Sequence, residues 1–231
     1  ALERLKQAGL KVIPITGRPA GWCDQIARMW PVDGVVGENG AFYFIYNSTL
    51  RKMRQRYWKN ENERAADRKE LEQLRKIILD EVEGSSVASD QAFREADLAI
   101  DFCEDIPALS QSAIDQIVNI FEQAGAIAKV SSIHVNGWFG NYDKLSMTRI
   151  LFAECFQTDM DLAQDQIVFC GDSPNDEPMF GFFENSVGVA NVLDFVDTME
   201  QQPCWITKNR TASGIVELSE VILNARSATS I

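Results

Sequence analysis

The sequence predicts an α/β protein in which a parallel-sheet core carries a smaller, inserted α+β domain. In the first and last thirds of the chain, short apolar runs alternate with amphipathic helical segments, which is typical of parallel strands covered by helices on both faces. The middle third differs, because a long charged helix stands among longer extended runs. We therefore expect residues 1–46 and 140–231 to form the core domain and residues 47–139 to form the inserted domain.

Composition and charge narrow the function classes. The chain has 231 residues, of which 45% are hydrophobic, and a formal net charge of −12. Duplex nucleic acid is disfavoured as a partner because binding it requires a basic surface. No apolar run approaches the roughly 20 residues of a membrane span, and the charged start ALERLKQAGL does not resemble a signal peptide. The five widely spaced cysteines include no CxxC pair, which favours reduced thiols in the cytoplasm.

The first third of the chain predicts several elements in close succession. Residues 1–8 predict the end of a helix, which Gly9 terminates. The apolar run LKVIPIT at 10–16 predicts a strand, and AGWCDQIARMW at 20–30 predicts a helix. The run VDGVVGENGAFYFIY at 32–46 predicts a strand, a glycine turn and a second extended segment.

The inserted segment predicts a small α+β unit of its own. Residues 50–58 predict an edge-like strand, and residues 62–82 predict a long helix with leucine and isoleucine at helical spacing. A strand at 98–104, a helix at 110–125 and an extended region at 126–139 complete it. We infer an insertion because the same α/β style appears on both sides of this segment.

The last third returns to the style of the first. Helices and apolar strands alternate, with helices predicted at 144–156, 175–183 and 214–225 and strands predicted at 166–172, 186–191 and 203–208. Open parallel sheets bind their ligands at the carboxyl ends of the strands. Polar clusters at those ends are therefore the candidate functional residues.

Two of these clusters suit an anionic ligand. In ITGRP, Thr16, Gly17 and Arg18 follow a strand, and a hydroxyl, a glycine N–H and a nearby helix N-terminus make a small anion cradle. The alternative is a capped strand-to-helix turn in which Thr16 satisfies backbone donors. The second cluster is Lys144, which opens a helix and is either a point charge for a phosphate or a solvated lysine.

The third cluster is GDSPNDEPM, in which Asp172 follows an apolar strand. Hard oxygen ligands at this position suit Mg²⁺, which takes few carboxylates and keeps several waters. Asn175 and Asp176 open the next helix, where they either cap it or support the metal and the lysine. Glu177 is interpreted as a helix-turn charge and not as a ligand.

Together the three clusters resemble the haloacid dehalogenase superfamily. The order Thr16, Lys144 and GDSPND matches its second, third and fourth motifs, and TGRP followed by GENGA at 37–41 resembles its sugar-phosphate phosphatase subgroup. In that subgroup a cap domain is inserted between the second and third motifs, which is where residues 47–139 lie. The resemblance covers essentially the whole chain and implies a Rossmann-like core, with the substrate bound between core and cap.

The resemblance also implies an activity. It implies a Mg²⁺-dependent phosphatase that acts on a small phosphorylated metabolite, with a sugar phosphate expected, through an aspartyl-phosphate. The hydroxyl, glycine and lysine would bind the phosphoryl group, and the acidic cluster would bind and support the metal. The implied catalytic residues are Thr16, Lys144 and Asp176, the implied phosphate-binding residues are Thr16, Gly17, Arg18, Lys144 and Asn175, and the implied metal ligand is Asp172.

The first motif of the family, DxD, is absent from the sequence. In the family it supplies the nucleophile on a central strand, so the chain as given is expected to be inactive. The DMD at 159–161 follows the end of a helix and not of a strand, and we interpret it as a coincidence. We expect the native protein to continue upstream of Ala1 by around 20 residues, unless another segment or a second chain fills the slot.

Several alternatives stay open at this point. A phosphomutase of the same subgroup would return the phosphoryl group to the sugar, and a non-catalytic binding or regulatory protein would keep the cleft without the nucleophile. His134, the only histidine, either contacts a substrate hydroxyl or is structural. The basic stretch 51–59 either steers a phosphorylated substrate or is a solvated strand face. The sequence indicates neither the identity of the substrate nor an oligomeric state.

Overall fold

A computed structural model describes residues 1–229 of the chain. By their internal contacts these residues divide into two compact units. The first unit comprises residues 1–14, residues 29–34 and the chain from Arg149 onward, and the second unit comprises Ile15–Arg28 and Val35–Thr148. These limits differ from those of the predicted core and inserted domains, and that division stays a prediction.

Helices and strands follow one another along the described chain. The helices are α1 (Leu2–Gln7), α2 (Ala20–Met29), α3 (Glu61–Glu81), α4 (Gln111–Gln123), α5 (Lys144–Leu151), α6 (Glu177–Phe182) and α7 (Thr211–Thr229). The strands are β1 (Val35–Gly37), β2 (Phe42–Asn47), β3 (Lys52–Tyr57), β4 (Ser86–Val87), β5 (Leu98–Asp101), β6 (Ile127–Val130), β7 (His134–Trp138), β8 (Phe169–Gly171), β9 (Ser186–Gly188) and β10 (Trp205–Ile206). Within residues 1–229, no helix is both long and apolar enough to cross a membrane.

The first unit contains a parallel sheet of β8, β9 and β10, with β9 in the centre. Cys170 lies opposite Val187 in this register, and α6 connects β8 to β9, because parallel neighbours require a crossover. Phe169 packs on Phe180 and Phe183, whose ring centroids lie 5.4 and 5.6 Å away. The predicted α/β style is confirmed here, although each strand is shorter than its apolar run.

The second unit contains two antiparallel sheets, β1-β2-β3 and β4-β5-β7-β6. The helices α3 and α4 pack against the four-stranded sheet through an apolar core that includes Leu71, Leu74, Ile78, Ile100, Ile114, Ile117, Phe121 and Val135. Gly137 of β7 leaves room for Phe121, since a Cβ there would lie 2.2 Å from the ring. The helices predicted at 62–82 and 110–125 are confirmed as α3 and α4.

Capping residues define where these two helices begin. At α3, Asn60 Oδ1 accepts a hydrogen bond from Glu63 N at 3.1 Å, and Glu63 Oε2 accepts one from Asn60 N at 2.8 Å. This reciprocal capping box satisfies two backbone donors that an unfinished first turn leaves open. At α4, Ser110 Oγ accepts from Ala113 N at 3.3 Å. The local sequence therefore fixes both starts without help from distant residues.

The prediction of a strand at 10–16 is wrong. Within this range only Ile15 forms a β-bridge, which is parallel and joins it to Val36. A strand requires successive ladder hydrogen bonds, and the backbone of Val12 bonds elsewhere. Val12 N donates to Asp33 Oδ2 at 2.8 Å, and Val12 O accepts from Asp33 N at 2.8 Å. One aspartate therefore takes the donor and the acceptor that a neighbouring strand would have used.

Replacing Ile117 with alanine should destabilise the second unit. Ile117 is fully buried in the α3–α4 core, so we expect Ile117→Ala to lower the free energy of unfolding by about 2–5 kcal/mol through lost burial and a residual cavity. Urea denaturation followed by circular dichroism measures the change. The control is Ile77→Ala on α3, where the isoleucine is 41% exposed and a much smaller loss is expected. Equal losses would contradict the assignment of this core.

Candidate functional site

The first predicted cluster lies in the turn after Ile15. Thr16 N donates to Val36 O at 2.9 Å, which continues the bridge made by Ile15. The Thr16 hydroxyl accepts a hydrogen bond from Arg18 N at 3.1 Å, so it satisfies one backbone donor of the turn. Within residues 1–229, no acceptor is present for the proton of this hydroxyl. Because a hydroxyl both accepts and donates, Thr16 can still donate to a ligand.

Asn39 lies against Gly17 in the 3-10 turn Glu38–Gly40, which we call the ENG turn. A Cβ on Gly17 would lie 3.1 Å from Asn39 Oδ1 and 3.3 Å from Asn39 Nδ2, so a side chain there would displace the amide. The backbones are joined as well, since Asn39 N donates to Thr16 O at 3.2 Å. Asn39 Nδ2 is buried and has no hydrogen-bond partner among the described residues. The ENG turn therefore supports the Thr16–Gly17 segment directly.

The ENG turn also lies against the start of α5. A Cβ on Gly40 would lie 2.0 Å from Asp143 O, and the φ of +105° at Gly40 favours glycine. Asp143 caps α5, since its Oδ1 accepts from Ser146 N at 2.7 Å. Lys144 is the first residue of α5 and is only 8% exposed, so the alternative prediction, a solvated lysine, is wrong. Two of the three predicted clusters therefore lie against a single turn.

Glu38 ties the ENG turn to α2 and to the segment before β5. It is fully buried, and its carboxyl oxygens accept hydrogen bonds from Ala20 N at 2.8 Å, Glu95 N at 2.9 Å and Ala96 N at 2.6 Å. The φ angles of Glu38 and Asn39, 42° and 54°, lie in the left-handed region, and these contacts help to maintain that strained backbone. Sequence patterns did not reveal this role, because the partners lie 18 and 57 positions away.

Arg18 is paired with two carboxylates within the second unit. Its guanidinium lies 3.3 Å from Asp90 Oδ2 and 3.3 Å from Glu104 Oε1. It also lies over the ring of Trp22, with Cζ 5.2 Å from the ring centroid. About a third of the side chain, 34%, is exposed. A role for Arg18 in binding phosphate stays a prediction.

Arg94 is the centre of a buried polar network that the sequence reasoning missed. Its side chain is 1% exposed, and it donates to Asp90 Oδ1 at 3.0 Å and to Asp97 Oδ1 at 2.9 Å. It also donates to Gly17 O at 2.9 Å, across 77 positions of sequence. Asn136 Nδ2 donates to Asp97 Oδ2 at 3.0 Å. Burial alone would lower the pKa of Arg94, but Asp97 and Asp90 raise it above its ordinary value, so the guanidinium stays charged.

His134 lies in β7, and its Nε2 is 2.9 Å from Glu104 Oε2 but has no hydrogen-bond partner among the described residues. Burial and the charge of Arg94 lower the pKa of His134, against the opposing effect of Glu104. Glu104 is positioned by Asp101, whose Oδ1 accepts from Glu104 N at 2.7 Å. His134 thus faces a carboxylate of its own chain, and contact with a substrate hydroxyl stays a prediction.

The third predicted cluster lies in the first unit, where Asp172 follows β8. Asp172 is exposed, whereas Asp176 is 6% exposed and its Oδ2 accepts from Asp172 N at 3.0 Å. Gly171 permits this approach, because a Cβ there would lie 2.6 Å from Asp176 Oδ2. Ser173 Oγ donates to Asn175 Oδ1 at 2.9 Å. In the described chain the side chain of Asp176 does not cap α6, and instead it holds the turn after β8.

Two neighbours of this third cluster have structural roles. Burial, together with Asp176 and Asp172, raises the pKa of Cys170 to about 12, so its thiol stays protonated at neutral pH. Glu177 accepts a hydrogen bond from Gln201 N at 3.0 Å, in keeping with the structural role expected for it. Cys170 is therefore not a candidate nucleophile, and Glu177 has a contact that holds the backbone of the first unit.

Asp172 has the donor chemistry that Mg²⁺ requires. An exposed carboxylate at the end of a strand is a hard oxygen ligand, and Mg²⁺ binds proteins through one or two carboxylates while keeping several waters. Among residues 1–229, however, no group of three or more His, Cys, Asp and Glu side chains is arranged to hold a metal. The described residues therefore supply one candidate ligand for Mg²⁺, Asp172.

Comparison with solved structures finds proteins of similar fold. The sucrose-phosphatase of a Synechocystis species, solved with sucrose and phosphate, has a TM-score of 0.63 and 17% identity, over 94% of this chain and 86% of its own. A phosphatase from Bacteroides thetaiotaomicron has a TM-score of 0.58 and 19% identity, over 95% and 84%. The C-terminal domain of the trehalose synthase regulatory protein of Candida albicans has a TM-score of 0.59 and 15% identity, over 90% and 82%.

These similarities establish the fold that the motifs implied. The comparison with protein-family models found no match, and neither did the comparison with curated protein sequences. At identities of 15–19%, structural similarity shows a shared fold and not a shared activity. The fold expected from the resemblance is therefore confirmed, and the activity has to be argued from the site.

Replacing Gly40 with alanine should disrupt the ENG turn. We expect Gly40→Ala to lower the free energy of unfolding by more than ~3 kcal/mol, because its Cβ would collide with Asp143 O and its backbone would be strained. The control is Gly125→Ala, where φ is +78° but no described atom lies within 4 Å, so only a backbone cost of about 1–2 kcal/mol applies. Urea denaturation measures both, and equal losses would mean that the contact with Asp143 is absent.

The stability of the protein should fall as the pH rises, because of Glu38. Burial and then the nearby Asp97 raise the pKa of Glu38 to about 8, against the opposing effects of Glu95 N–H and Arg94. The folded state therefore holds a proton that the unfolded chain loses near its ordinary pKa of 4.5. This stabilisation is complete below about pH 4.5 and is lost as the pH rises through 8. We expect the free energy of unfolding to decrease across that range.

Two amide variants test this pH dependence. Glu38→Gln removes the titrating group and should flatten the decline in the free energy of unfolding between about pH 5 and pH 9. Glu95→Gln changes the charge of a neighbouring side chain that is 43% exposed, and it should leave the decline unchanged. Urea titrations at several pH values provide the measurement. A wild-type stability that rises with pH, or an equal slope in Glu38→Gln, would refute the explanation.

Proposed function

Because the chain has the fold of the haloacid dehalogenase superfamily phosphatases, we propose that it is a phosphomonoester hydrolase. Its proposed substrate is a small phosphorylated metabolite, and specifically a sugar phosphate. The observation that carries the proposal is the ENG turn, in which the consecutive residues Asn39 and Gly40 approach Gly17 and Asp143. A hydroxyl, a glycine amide and a largely buried lysine therefore adjoin one turn, and these are groups suited to a phosphoryl dianion.

Each group at this turn has a proposed task. The Thr16 hydroxyl, whose proton has no acceptor among residues 1–229, donates to a phosphoryl oxygen, and the Gly17 N–H donates to another. Lys144 neutralises the charge of the oxygens, and its 8% exposure makes this interaction stronger than it would be in water. Arg18 and Asn175 are proposed as further contacts of the phosphoryl group, as the motif resemblance implies.

The acidic cluster has a supporting part in the proposal. Asp172 would hold Mg²⁺, which when bound supplies a positive charge that favours attack on the phosphorus. Asp176 keeps the turn after β8 in shape by accepting from Asp172 N at 3.0 Å, so it orients Asp172. The proposed Mg²⁺ dependence and the catalytic role of Asp176 rest on the motif resemblance together with these contacts.

The proposed nucleophile is an aspartate of a DxD motif upstream of Ala1, which would form an aspartyl-phosphate. β8 is at the edge of its sheet in the described chain, so one side of it is open to another strand. In the second unit, Ile15 likewise has one bridge partner among the described residues, Val36. Unpaired strand backbone of this kind requires hydrogen-bond partners when it is buried, which supports an additional strand.

One alternative has an observation of its own. The regulatory protein of Candida albicans shares the fold, which favours a non-catalytic binding or regulatory role if the upstream segment lacks DxD. A phosphomutase of the same subgroup also stays open, and measuring hexose phosphate isomers against released inorganic phosphate separates it from a phosphatase. A cytoplasmic location is proposed as well, since the five widely spaced cysteines include no CxxC pair.

Activity measurements on the chain together with any residues that its gene encodes upstream of Ala1 test the proposal. With p-nitrophenyl phosphate and Mg²⁺, we expect Lys144→Ala and Asp172→Ala each to lower kcat/KM by at least ~100-fold. Lys144→Ala removes the charge that neutralises the phosphoryl oxygens, and Asp172→Ala removes the proposed ligand of Mg²⁺. Removing Mg²⁺ with a chelator should abolish turnover of the wild type.

Matched variants show whether these losses are specific. Lys129→Ala and Asp165→Ala remove exposed residues of the same types and should keep wild-type activity. Undiminished activity in Lys144→Ala or Asp172→Ala would sink the phosphatase assignment. Reading the encoding DNA upstream of Ala1 is a cheaper check, since the lack of an apolar strand ending in DxD would favour the regulatory role.

A further inference from the structure

We propose that Arg94 is a positioning residue for the Thr16 hydroxyl and acts on it through the Gly17–Arg18 peptide. The inference rests on the proposed function, in which Thr16 binds the phosphoryl group. It assigns to the segment between β4 and β5 a part in the phosphate cradle itself, in addition to any contact with the rest of a substrate.

One peptide unit connects the two side chains. Arg94 Nη1 donates to Gly17 O at 2.9 Å, and Arg18 N donates to Thr16 Oγ1 at 3.1 Å. The carbonyl of Gly17 and the N–H of Arg18 belong to the same peptide group. A buried guanidinium therefore binds one end of this dipole, and the Thr16 hydroxyl oxygen binds the other end.

The charge at one end strengthens the hydrogen bond at the other. A charged donor polarises the carbonyl that it binds, and polarised peptide groups donate more strongly in a low-dielectric interior. The Thr16 oxygen is thereby held as an acceptor of Arg18 N–H, which fixes the hydroxyl group. Its proton has no acceptor within residues 1–229, so it is left to point toward a bound phosphoryl oxygen.

Arg94 is itself held firmly enough to do this. Its side chain is 1% exposed and is fixed by Asp90 at 3.0 Å and Asp97 at 2.9 Å. Asp97 is held in turn by Asn136 Nδ2 at 3.0 Å, and Gln91 Nε2 donates to its backbone oxygen at 2.9 Å. The planar fork of an arginine can bind three such partners at once, which the single ammonium of a lysine cannot do in the same geometry.

A double-mutant cycle on the full chain tests the inference, with inorganic phosphate as the probe and ³¹P NMR titration as the measurement. We expect Arg94→Gln to weaken phosphate binding about tenfold when Thr16 is present. In the Thr16→Val background the same change should cost less than about twofold, because the hydroxyl that Arg94 orients is gone. A general loss of structure would weaken binding equally in both backgrounds, and that result would overturn the inference.

Further variants keep the test decisive. If Arg94→Gln fails to fold, Arg94→Lys retains the buried charge, and the cycle is repeated with it; a partial loss that again disappears with Thr16→Val supports the inference. Arg68→Gln is the control, since Arg68 donates to Glu95 O at 3.3 Å on the same segment but is 45% exposed, and it should bind phosphate as the wild type does. Wild type that binds no phosphate would overturn the proposed function, and this inference with it.

Discussion

The second unit depends on two ionisable side chains that it buries, those of Glu38 and Arg94. Glu38 is fully buried and the side chain of Arg94 is 1% exposed, and a buried polar or charged group is tolerated only when other groups satisfy its hydrogen bonds. The groups that do so are mostly backbone amides and carbonyls of distant segments, among them Ala20 N, Ala96 N and Gly17 O. The hydrogen bonds of these two side chains therefore hold together the turn at 16–20, the ENG turn and the segment before β5.

This constraint explains how a strained turn can support the proposed site. Three consecutive residues of the ENG turn have positive φ, and only one of them, Gly40, is a glycine. Such backbone persists where surrounding contacts over-determine it, and here Glu38 accepts hydrogen bonds from two separate segments. The strain brings Asn39 to Gly17 and Gly40 to Asp143, so the rigidity that the hydrogen-bonded Glu38 creates acts at the predicted phosphate-binding residues.

Sequence reasoning predicts those parts of the protein whose signals are local. The helices α3 and α4 are predicted within a few residues, because their apolar spacing is a local property of the sequence. The ENG turn and GDSPND stood out because glycines and acids interrupt apolar runs there. The strand expected at 10–16 failed because Asp33 takes the hydrogen bonds of Val12, and no local pattern in 10–16 shows this.

The polar network shows why the rest of the candidate site was out of reach, and it changes how the inserted segment is understood. Arg94 and Gly17 are 77 positions apart, and QAFREAD carries no periodicity or motif that separates a buried arginine from a solvated one. Through this contact, a segment predicted to belong to the inserted domain also supports the backbone next to Thr16. Substitutions near Arg94 would then change how tightly a phosphoryl group is held, whatever the rest of the substrate is.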